Sequence, residues 1–277
     1  MTKGSLLAEI VGFVPERGIA VWWLGQSGFI IRGRSATVAI DPFLTDFGHL
    51  GRAYKPPCSP DQVDFLDLLL GTHEHEDHID PLGFPQLLNA SRKAIGVVPA
   101  PLLPHLERLA RSKGRLIGAS VDRPIERNGV RVTAIPALHG LVPADGYHFH
   151  LDAAGEHPFV GYLLELDGVR ICHTGDSLVY DGLAQRLRDA DLDVLMLPIN
   201  GVSWFREQRG LVGNMNVFEA AELADASGAR LIVPMHWDLF ADNSEDPEHF
   251  ARHLAARHSN TSVAVPAIGT RLDVLPH

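Results

Sequence analysis

The sequence predicts an α/β protein in which two β-sheets pack together and are covered by helices, a four-layer αβ/βα sandwich. Three observations predict this fold class. Strand patterns dominate the first part of the chain, strands and helices alternate in the second part, and several predicted strands end in histidine or aspartate. The 277 residues contain no convincing linker or repeat, so we expect one domain over residues 1–277.

Strand patterns dominate the chain up to residue 71. After a weak helical lead-in over residues 1–18, two apolar segments flank a Gly25–Gly28 turn and predict a hairpin. Residues 43–60 lack periodicity, which predicts a loop near a functional site. The predicted strands cover residues 19–24, 29–32, 37–40 and 65–71.

Helices and strands alternate from residue 81 onward. Asp80-Pro81 supplies an N-cap residue and a first-turn proline for the first helix, and Asn216 with Glu219 matches a capping box for a later one. The predicted helices cover residues 81–90, 101–112, 180–190, 216–227 and 247–258. The predicted strands cover residues 94–98, 115–119, 130–136, 159–166, 169–174, 194–198 and 231–234, with a terminal β segment over 262–274.

A stretch rich in metal-binding residues follows the predicted strand over residues 65–71. Three histidines and an aspartate occur there within six residues. Side chains alternate along an extended backbone, so His73 and His75 project to the same side and can reach one metal ion. Asp77 and His78 come after the turn and point elsewhere, which places them to hold a second ion.

Two other types of metal site are excluded. A His-Glu-x-x-His helix needs histidine at position 77, where Asp77 stands. The cysteine-based zinc patterns need more than Cys58 and Cys172, which are far apart in the sequence. The histidine-rich stretch is therefore interpreted as part of a different metal site.

Three of the later predicted strands also run into a residue that commonly binds metal ions, at His139, Asp176 and His236. Each residue alone is more often structural than functional. Because adjacent strands end at the same edge of a sheet, we expect these three residues to join the histidine-rich stretch.

Together these residues resemble the ligand pattern of the metallo-β-lactamase superfamily, and the resemblance covers residues 19–270. It implies a metallo-β-lactamase-like four-layer αβ/βα sandwich with a two-metal site. Shorter motifs resemble one branch, the ascorbate-6-phosphate lactonase-like proteins. These motifs are Trp23–Gly28, Ile40–Pro42, Leu197–Gly201, Gly213–Asn216 and Pro234–Asp238.

The resemblance implies a role for each candidate ligand. His73, His75 and His139 fall on the first metal, Asp77, His78 and His236 fall on the second, and Asp176 bridges both. Imidazole and carboxylate ligands without thiolate suit two divalent ions, Zn²⁺ or Mn²⁺, and also admit Fe. The flavodiiron-type branch carries glutamate at the position of His75, so oxygen reduction is not expected.

Two bound ions lower the pKa of water and polarise the bond under attack, which predicts a metal-dependent hydrolase. Asp77 is the candidate catalytic residue, because it can orient the nucleophile and relay a proton to the leaving oxygen. The resemblance implies that the substrate is a lactone of a sugar acid, with or without a phosphate group. The alternatives are a metal-dependent phosphodiesterase acting on a small or lipid phosphodiester, and a metal-binding protein without turnover.

Four further residues are candidates for contact with the substrate or for support of the ligands: Asp41, Asn200, Asn214 and Trp237. Asp41 either holds a ligating imidazole through its far N–H or caps a turn. Asn200 either lines the pocket or shapes a turn, and Asn214 is less easily explained by capping. Trp237 either shapes the pocket or packs in the core.

A second histidine-rich stretch contains His148, His150 and His157 but no partner carboxylate pattern. We expect a flexible loop over the active site there rather than a third metal site. Arg206 and Arg209 are the natural cations for a phosphate group, although they do not form a recognisable clamp.

The formal net charge of −10 and the lack of any Lys/Arg run disfavour nucleic acid as a partner. No stretch of the sequence reaches the length of a membrane span or matches a secretory leader. Two distant cysteines fit a reducing compartment. We therefore expect a cytoplasmic protein with a small anionic or ester substrate, and the resemblance implies a homo-oligomer.

Overall fold

A computed structural model describes residues 3–111, 114–257 and 261–277 of the chain. Within these residues the strands form two seven-stranded sheets. The first sheet contains β1 (Ile19–Gly25), β2 (Gly28–Arg32), β3 (Thr37–Ile40), β4 (Leu68–Leu70), β5 (Ile95–Pro99), β6 (Leu116–Ala119) and β14 (Arg271–Val274). The second contains β7 (Ile125–Arg127), β8 (Val130–Pro136), β9 (Val160–Leu166), β10 (Val169–His173), β11 (Val194–Pro198), β12 (Leu231–Met235) and β13 (Ser262–Val263).

Both sheets are mixed. The first has the order β14-β1-β2-β3-β4-β5-β6 and is parallel from β3 to β6, whereas the β1–β2 pair is the predicted hairpin. The second has the order β13-β12-β11-β10-β9-β8-β7 and is parallel from β10 to β13. The parallel strands of each sheet end at one edge, and the loops that follow them build the candidate site.

The sheets pack face to face, and helices cover their outer faces. Along β1, Val21 and Trp23 belong to the core between the sheets, whereas Trp22 and Leu24 pack with the helices, as the two-residue period of a strand requires. The helices α1 (Lys3–Gly12), α2 (Gly83–Ala90) and α3 (Leu103–Ala110) cover the first sheet. The helices α4 (Leu183–Asp189), α6 (Val217–Ser227) and α7 (Pro247–Arg257) cover the second. The four-layer αβ/βα sandwich is therefore confirmed.

Several predicted elements differ from the observed ones. The terminal β segment is two strands, because β13 joins the second sheet and β14 crosses to pair with β1 in the first. The strand β7 and the one-turn helix α5 (Trp204–Glu207) are too short to show a recognisable period of apolar residues, so the sequence did not predict them. Residues 1–2 of the predicted lead-in, the predicted helix end at residue 112 and the predicted end at residue 258 lie outside the described residues.

Two predicted helix starts show how side chains cap a backbone. The helix α2 begins at Gly83 rather than residue 81, but the Asp80 carboxylate still accepts hydrogen bonds from the backbone N–H groups of Leu82 and Gly83. Asn216 caps α6, and Glu219 completes the predicted capping box. Among the described helices, none combines the length and the apolar character needed to cross a bilayer.

Candidate metal centre

The seven predicted metal-binding residues converge at one edge of the two packed sheets. Four of them lie in the loop after β4, and His139, Asp176 and His236 follow β8, β10 and β12. Three overlapping sets of these side chains bring ligand atoms within 4.8 Å of one another. The three sets are His73/His75/His139, His73/His78/Asp176 and Asp77/His78/His236.

The first ligand group consists of His73, His75 and His139 and contains only imidazoles. His73 Nε2 lies 2.8 Å from His75 Nδ1, and His139 Nε2 lies 3.3 Å from the same atom. On its other side, His75 Nε2 lies 3.2 Å from the carbonyl oxygen of Leu141. Three ring nitrogens therefore face one point, as the predicted first metal position requires.

The second ligand group consists of Asp77, His78 and His236. Asp77 Oδ2 lies 3.8 Å from His78 Nε2 and 3.4 Å from His236 Nε2. The His78 and His236 rings are stacked, with centroids 5.6 Å apart and an interplanar angle of 20°. This group differs from the first because it contains a carboxylate.

Asp176 lies between the two groups. Its Oδ1 is 3.3 Å from His78 Nε2, and its Oδ2 is 3.0 Å from His236 Nε2 and 3.6 Å from His139 Nε2. The side chain is 3% exposed. One buried carboxylate thus contacts imidazoles of both groups.

The donor atoms fit divalent cations. His78 Nε2 and Asp176 Oδ1 are buried and have no hydrogen-bond partner, although both point toward the other ligands. Buried polar atoms are normally satisfied, so an orphaned pair of this kind calls for an ion or water. Imidazole and carboxylate donors without thiolate suit Zn²⁺, Mn²⁺ or Fe.

Burial dominates the electrostatics of the first group. It lowers the pKa of His73 well below the usual value, and the neighbouring His78 and His75 rings lower it further. It also lowers the pKa of His139 to about 3, because Asp176 offsets only part of the desolvation. These two imidazoles are therefore neutral at pH 7, the form that binds a metal ion.

Carboxylates dominate the second group. Burial acts to lower the pKa of His236, but Asp176 and Asp77 outweigh it and raise that pKa to about 9. Burial is likewise outweighed at His78, whose pKa is held well above the usual value by Asp176, Asp77 and Asp41. The reciprocal effect lowers the pKa values of Asp77 and Asp176 although burial alone would raise them.

Asp41 supports His78 from behind. Its Oδ2 lies 2.7 Å from His78 Nδ1, and it also accepts hydrogen bonds from the backbone N–H and the hydroxyl of Thr72, at 2.8 Å and 2.6 Å. A carboxylate on the far nitrogen fixes the ring orientation and leaves Nε2 free to bind a cation. Of the two roles that the sequence left open for Asp41, the structure places the side chain in the imidazole-holding position.

Asn200 and Asn214 lie behind the wall of the site. Asn214 Nδ2 donates to Asn200 Oδ1 at 3.0 Å, and Asn200 Nδ2 donates to Asn243 Oδ1 at 2.9 Å. Asn200 and Asn214 are buried, and Asn243 lines the cleft over the ligands. The two predicted asparagines therefore do not line the cleft but are connected to it by hydrogen bonds through Asn243.

A cleft of about 530 Å³ lies over the ligands. Its apolar walls come from Leu141, Leu211, Val212 and Phe240. Among the described residues that line it, Arg209 carries the one permanent positive charge. The full lining is residues 50–51, 75–77, 139, 141, 176, 209–212, 236 and 240–243.

The two candidate arginines have different surroundings. Arg206 donates hydrogen bonds to the backbone carbonyls of Asn200, Gly201 and Ser244, so its guanidinium holds loops together. Arg209 lines the cleft and pairs with Asp242 at 3.1 Å. Only Arg209 is therefore placed to meet a substrate.

Trp237 packs rather than lining the cleft. Its ring stacks on Trp23 with centroids 5.0 Å apart, and its Nε1 donates to the carbonyl of Pro234 at 3.1 Å. The residue therefore fits the packing role that the sequence left open.

The loop with the second histidine-rich stretch lies beside the first ligand group. His150 packs against Phe159, whose ring contacts His73, His75 and His139. No described group of metal-binding side chains includes His148, His150 or His157. The loop is also bound to the segment that follows Val212, because the Gly213 N–H donates to the Tyr147 hydroxyl at 3.2 Å.

Gln26 is a residue of the centre that the sequence did not single out. Its side-chain Nε2 lies 2.7 Å from Asp77 Oδ2 and 2.9 Å from His236 Nε2. The sequence signal for Gln26 is its place in the Trp23–Gly28 motif, which resembles the lactonase-like branch but does not by itself indicate a contact with the ligands.

Comparison with known proteins places this arrangement in a family. Residues 36–237 match the Beta-lactamase superfamily domain. A UPF0173 metal-dependent hydrolase of Thermococcus kodakarensis is 31% identical over 235 residues, covering 84% of this chain and 91% of that protein. The chain belongs to the β-lactamase superfamily. A UPF0173 metal-dependent hydrolase of Methanoculleus marisnigri is 30% identical over 257 residues, covering 92% of this chain and 96% of the relative.

Several solved structures share the fold at low sequence identity. The metallo hydrolase Igni18 of Ignicoccus hospitalis has a TM-score of 0.68 at 21% identity, over 92% of this chain and 97% of that one. The metallo-β-lactamase fold protein YhfI of Bacillus subtilis has a TM-score of 0.65 at 15% identity, over 93% and 100% of the two chains. An isothiocyanate hydrolase from Delia radicum gut bacteria has a TM-score of 0.67 at 14% identity, over 91% and 98%.

Proposed function

We propose that this chain is a metal-dependent hydrolase that opens a lactone ring of a sugar acid. The observation that carries the hydrolase assignment is the pair of ligand groups that share Asp176 on the floor of a cleft. The relatives described as metal-dependent hydrolases support the same reaction class. The lactone specificity rests on the short motifs that resemble the lactonase-like branch.

We propose that the three residues of each ligand group, together with the shared Asp176, hold two divalent ions, Zn²⁺ or Mn²⁺. Such ions, when bound, lower the pKa of water and polarise the bond under attack. The protein sets the charges of the ligands, because His73 and His139 are neutral at the first position, whereas Asp77 and Asp176 lie at the second.

Asp77 is the proposed catalytic carboxylate. It faces the cleft with 16% of its side chain exposed, while Gln26 donates a hydrogen bond to its Oδ2. Burial would raise its pKa, but His78 and His236 lower the pKa below the usual range. Asp77 is therefore ionised at neutral pH, so it can orient the attacking water, accept the proton that this water loses and pass the same proton to the leaving oxygen.

The cleft suits a small anionic substrate. A volume of about 530 Å³ lies within the range of small-molecule sites. Arg209 offers a guanidinium to a carboxylate or phosphate of the sugar acid, in exchange for its exposed pairing with Asp242. The chain charge of −10 argues against nucleic acid, and we propose a cytoplasmic homo-oligomer without a membrane partner.

The test compares two substrate classes with chelator-treated protein that has been reloaded with Mn²⁺ or Zn²⁺. A sugar lactone, with and without a phosphate, is measured beside bis-nitrophenyl phosphate. We expect lactone opening that falls on the order of 10²- to 10⁴-fold in Asp77→Asn. Asp181→Asn, an exposed aspartate outside the cleft, is the matched control and should keep full activity.

The outcomes separate the possible functions. Phosphodiester cleavage without lactone opening would move the protein to the phosphodiesterase class. Bound metal without hydrolysis of either substrate would contradict the proposed substrate class. An Asp77→Asn protein that keeps its metals and full turnover would exclude the role assigned to Asp77.

A further inference from the structure

Gln26 has an unusual backbone for its position. It lies in the turn between β1 and β2, is 2% exposed and has a φ of 54°. Residues other than glycine seldom adopt this left-handed conformation, and they persist in it where the surrounding structure enforces it, often at functional sites. Two other buried residues share it, Asp41 with a φ of 45° and His236 with a φ of 58°.

Both of those residues belong to the metal centre. The other described non-glycine residues with positive φ are partly or fully exposed: Arg111, Asp122, Asn128, Asp167 and Asp191. Among the described non-glycine residues, left-handed backbone and burial therefore coincide only at this centre, and Gln26 is the third member of the set. An observed outlier of this kind supports a hypothesis of function.

The backbone of Gln26 is fixed on both sides. Its N–H donates to Asp238 Oδ1 at 3.0 Å, and its carbonyl accepts from the His236 N–H at 3.0 Å and from Trp23 Nε1 at 3.1 Å. The Tyr54 hydroxyl donates to the other oxygen of Asp238. The same hydroxyl occupies the space that a Cβ on Gly25 would need, which explains the glycine before Gln26.

The side-chain amide of Gln26 contacts two of the three members of the second ligand group and none of the first. Its Nε2 lies 2.7 Å from Asp77 Oδ2 and 2.9 Å from His236 Nε2. The carboxylate decides the orientation of the amide, because the opposite flip would place two acceptor oxygens against each other. The N–H therefore holds the Asp77 carboxylate in place.

We propose that Gln26 is a positioning residue that raises the affinity of the second ligand group for its cation. The amide orients Asp77, and the carbonyl of the same residue holds the His236 backbone, so one strained residue sets the spacing of two ligands. Partners that orient ligands in this way change metal affinity strongly when they are removed. The proposal rests on the proposed two-metal centre and deepens it.

Two substitutions of Gln26 distinguish a role in orienting the ligands from a role in the stability of the fold. Gln26→Asn keeps the carboxamide on a side chain that is one methylene shorter, and asparagine tolerates the left-handed conformation. Gln26→Gly removes the amide and relieves the backbone. The surface change Gln185→Asn on α4 is the matched control.

The measurement is calorimetric titration of chelator-treated protein with Zn²⁺, repeated with Co²⁺ to follow its absorption spectrum, together with thermal unfolding of the cation-free protein. We expect two ions in the parent protein. In both Gln26 variants the second ion should bind about 10- to 100-fold more weakly while the first binds unchanged. The cation-free Gln26→Gly protein should melt at the same temperature as the parent or higher.

Three results would overturn the proposal. Unchanged affinity for both ions in both variants would show that the amide does not position the ligands. An equal loss of affinity for both ions, together with a lower melting temperature, would assign Gln26 a purely structural role. A parent protein that binds only one ion would remove the second site itself. Two bound ions without lactone opening would contradict only the proposed substrate, because the Gln26 result is read from affinity.

Discussion

The two ligand groups differ in charge although they lie side by side. The first contains only imidazoles, and burial keeps His73 and His139 neutral. The second contains Asp77 and receives Asp41, Asp176 and Gln26 as close neighbours, so its imidazoles hold protons more firmly. A cation that binds to the second group must therefore displace protons, whereas a cation that binds to the first group meets imidazoles that are already neutral.

The largest effect is expected where the two groups meet. Asp176→Asn keeps the shape of the side chain but removes the charge that contacts His78, His139 and His236. Because both groups lose a ligand, metal content should fall for both ions and hydrolysis should drop by more than about 100-fold. Metal analysis after gel filtration and initial rates check this, with Asp189→Asn on α4 as the control.

Loss of only one ion in Asp176→Asn would contradict the sharing of this carboxylate. It would mean that Asp176 serves a single ligand group.

The pH dependence of metal binding should distinguish the groups. His236 has a pKa of about 9 in the cation-free protein, so a cation must displace its proton at pH 7. Because His78 also holds its proton above the usual range, affinity at the second group should rise by up to about a hundredfold per pH unit while both imidazoles are protonated, and less steeply above the pKa of His236. His139, with a pKa of about 3, is already neutral, so affinity at the first group should be flat over the same range.

Calorimetry in buffers of different ionisation enthalpy measures the protons released by each ion. Equal proton release from both groups at pH 7 would contradict the charge difference between them.

Removing the carboxylate behind His78 should weaken cation binding at the second ligand group selectively. Asp41→Asn keeps a residue type that accepts the left-handed backbone, but its amide no longer provides a charged acceptor for His78 Nδ1. We expect the cation of the second group to bind about 10- to 100-fold more weakly and the first group to be unaffected. Competitive titration against a chromogenic chelator checks the two affinities, and equal losses at both groups would refute the selectivity.

The smallest effect is expected next to a ligand but outside both groups. Trp237→Phe weakens the stack on Trp23 and removes the hydrogen bond to the Pro234 carbonyl. The free energy of unfolding should fall by about 1 kcal/mol, while both metal affinities remain. Urea denaturation measures the stability, and a change in metal affinity would show that Trp237 also shapes the centre.

The parts of the centre that could be predicted are those that short sequence patterns specify. The His73–His78 stretch carries four ligands in six residues, so its spacing alone indicates a metal site. His139, Asp176 and His236 were predicted because each follows an apolar strand, and parallel strands end at a common edge. Asp41 was predicted for the same reason, and the structure adds its partner, His78.

The contacts that no local pattern contains were not predicted. Gln26 meets Asp77 and His236 across sequence separations of 51 and 210 residues. The chain of Asn214, Asn200 and Asn243 behind the cleft depends in the same way on how three loops pack. The terminal β segment divides between the two sheets because pairing partners, rather than its own residues, decide where each half lies.

The sequence by itself determined the elements and the chemistry of the ligands, because the period of apolar residues and the type of side chain are local properties. It also determined the fold class, since strands with metal-binding ends match one superfamily pattern. Only the tertiary structure decided how the carboxylates are shared between the two ligand groups, and hence which imidazoles are protonated. That distribution depends on distances and burial, which arise only when the two sheets pack together.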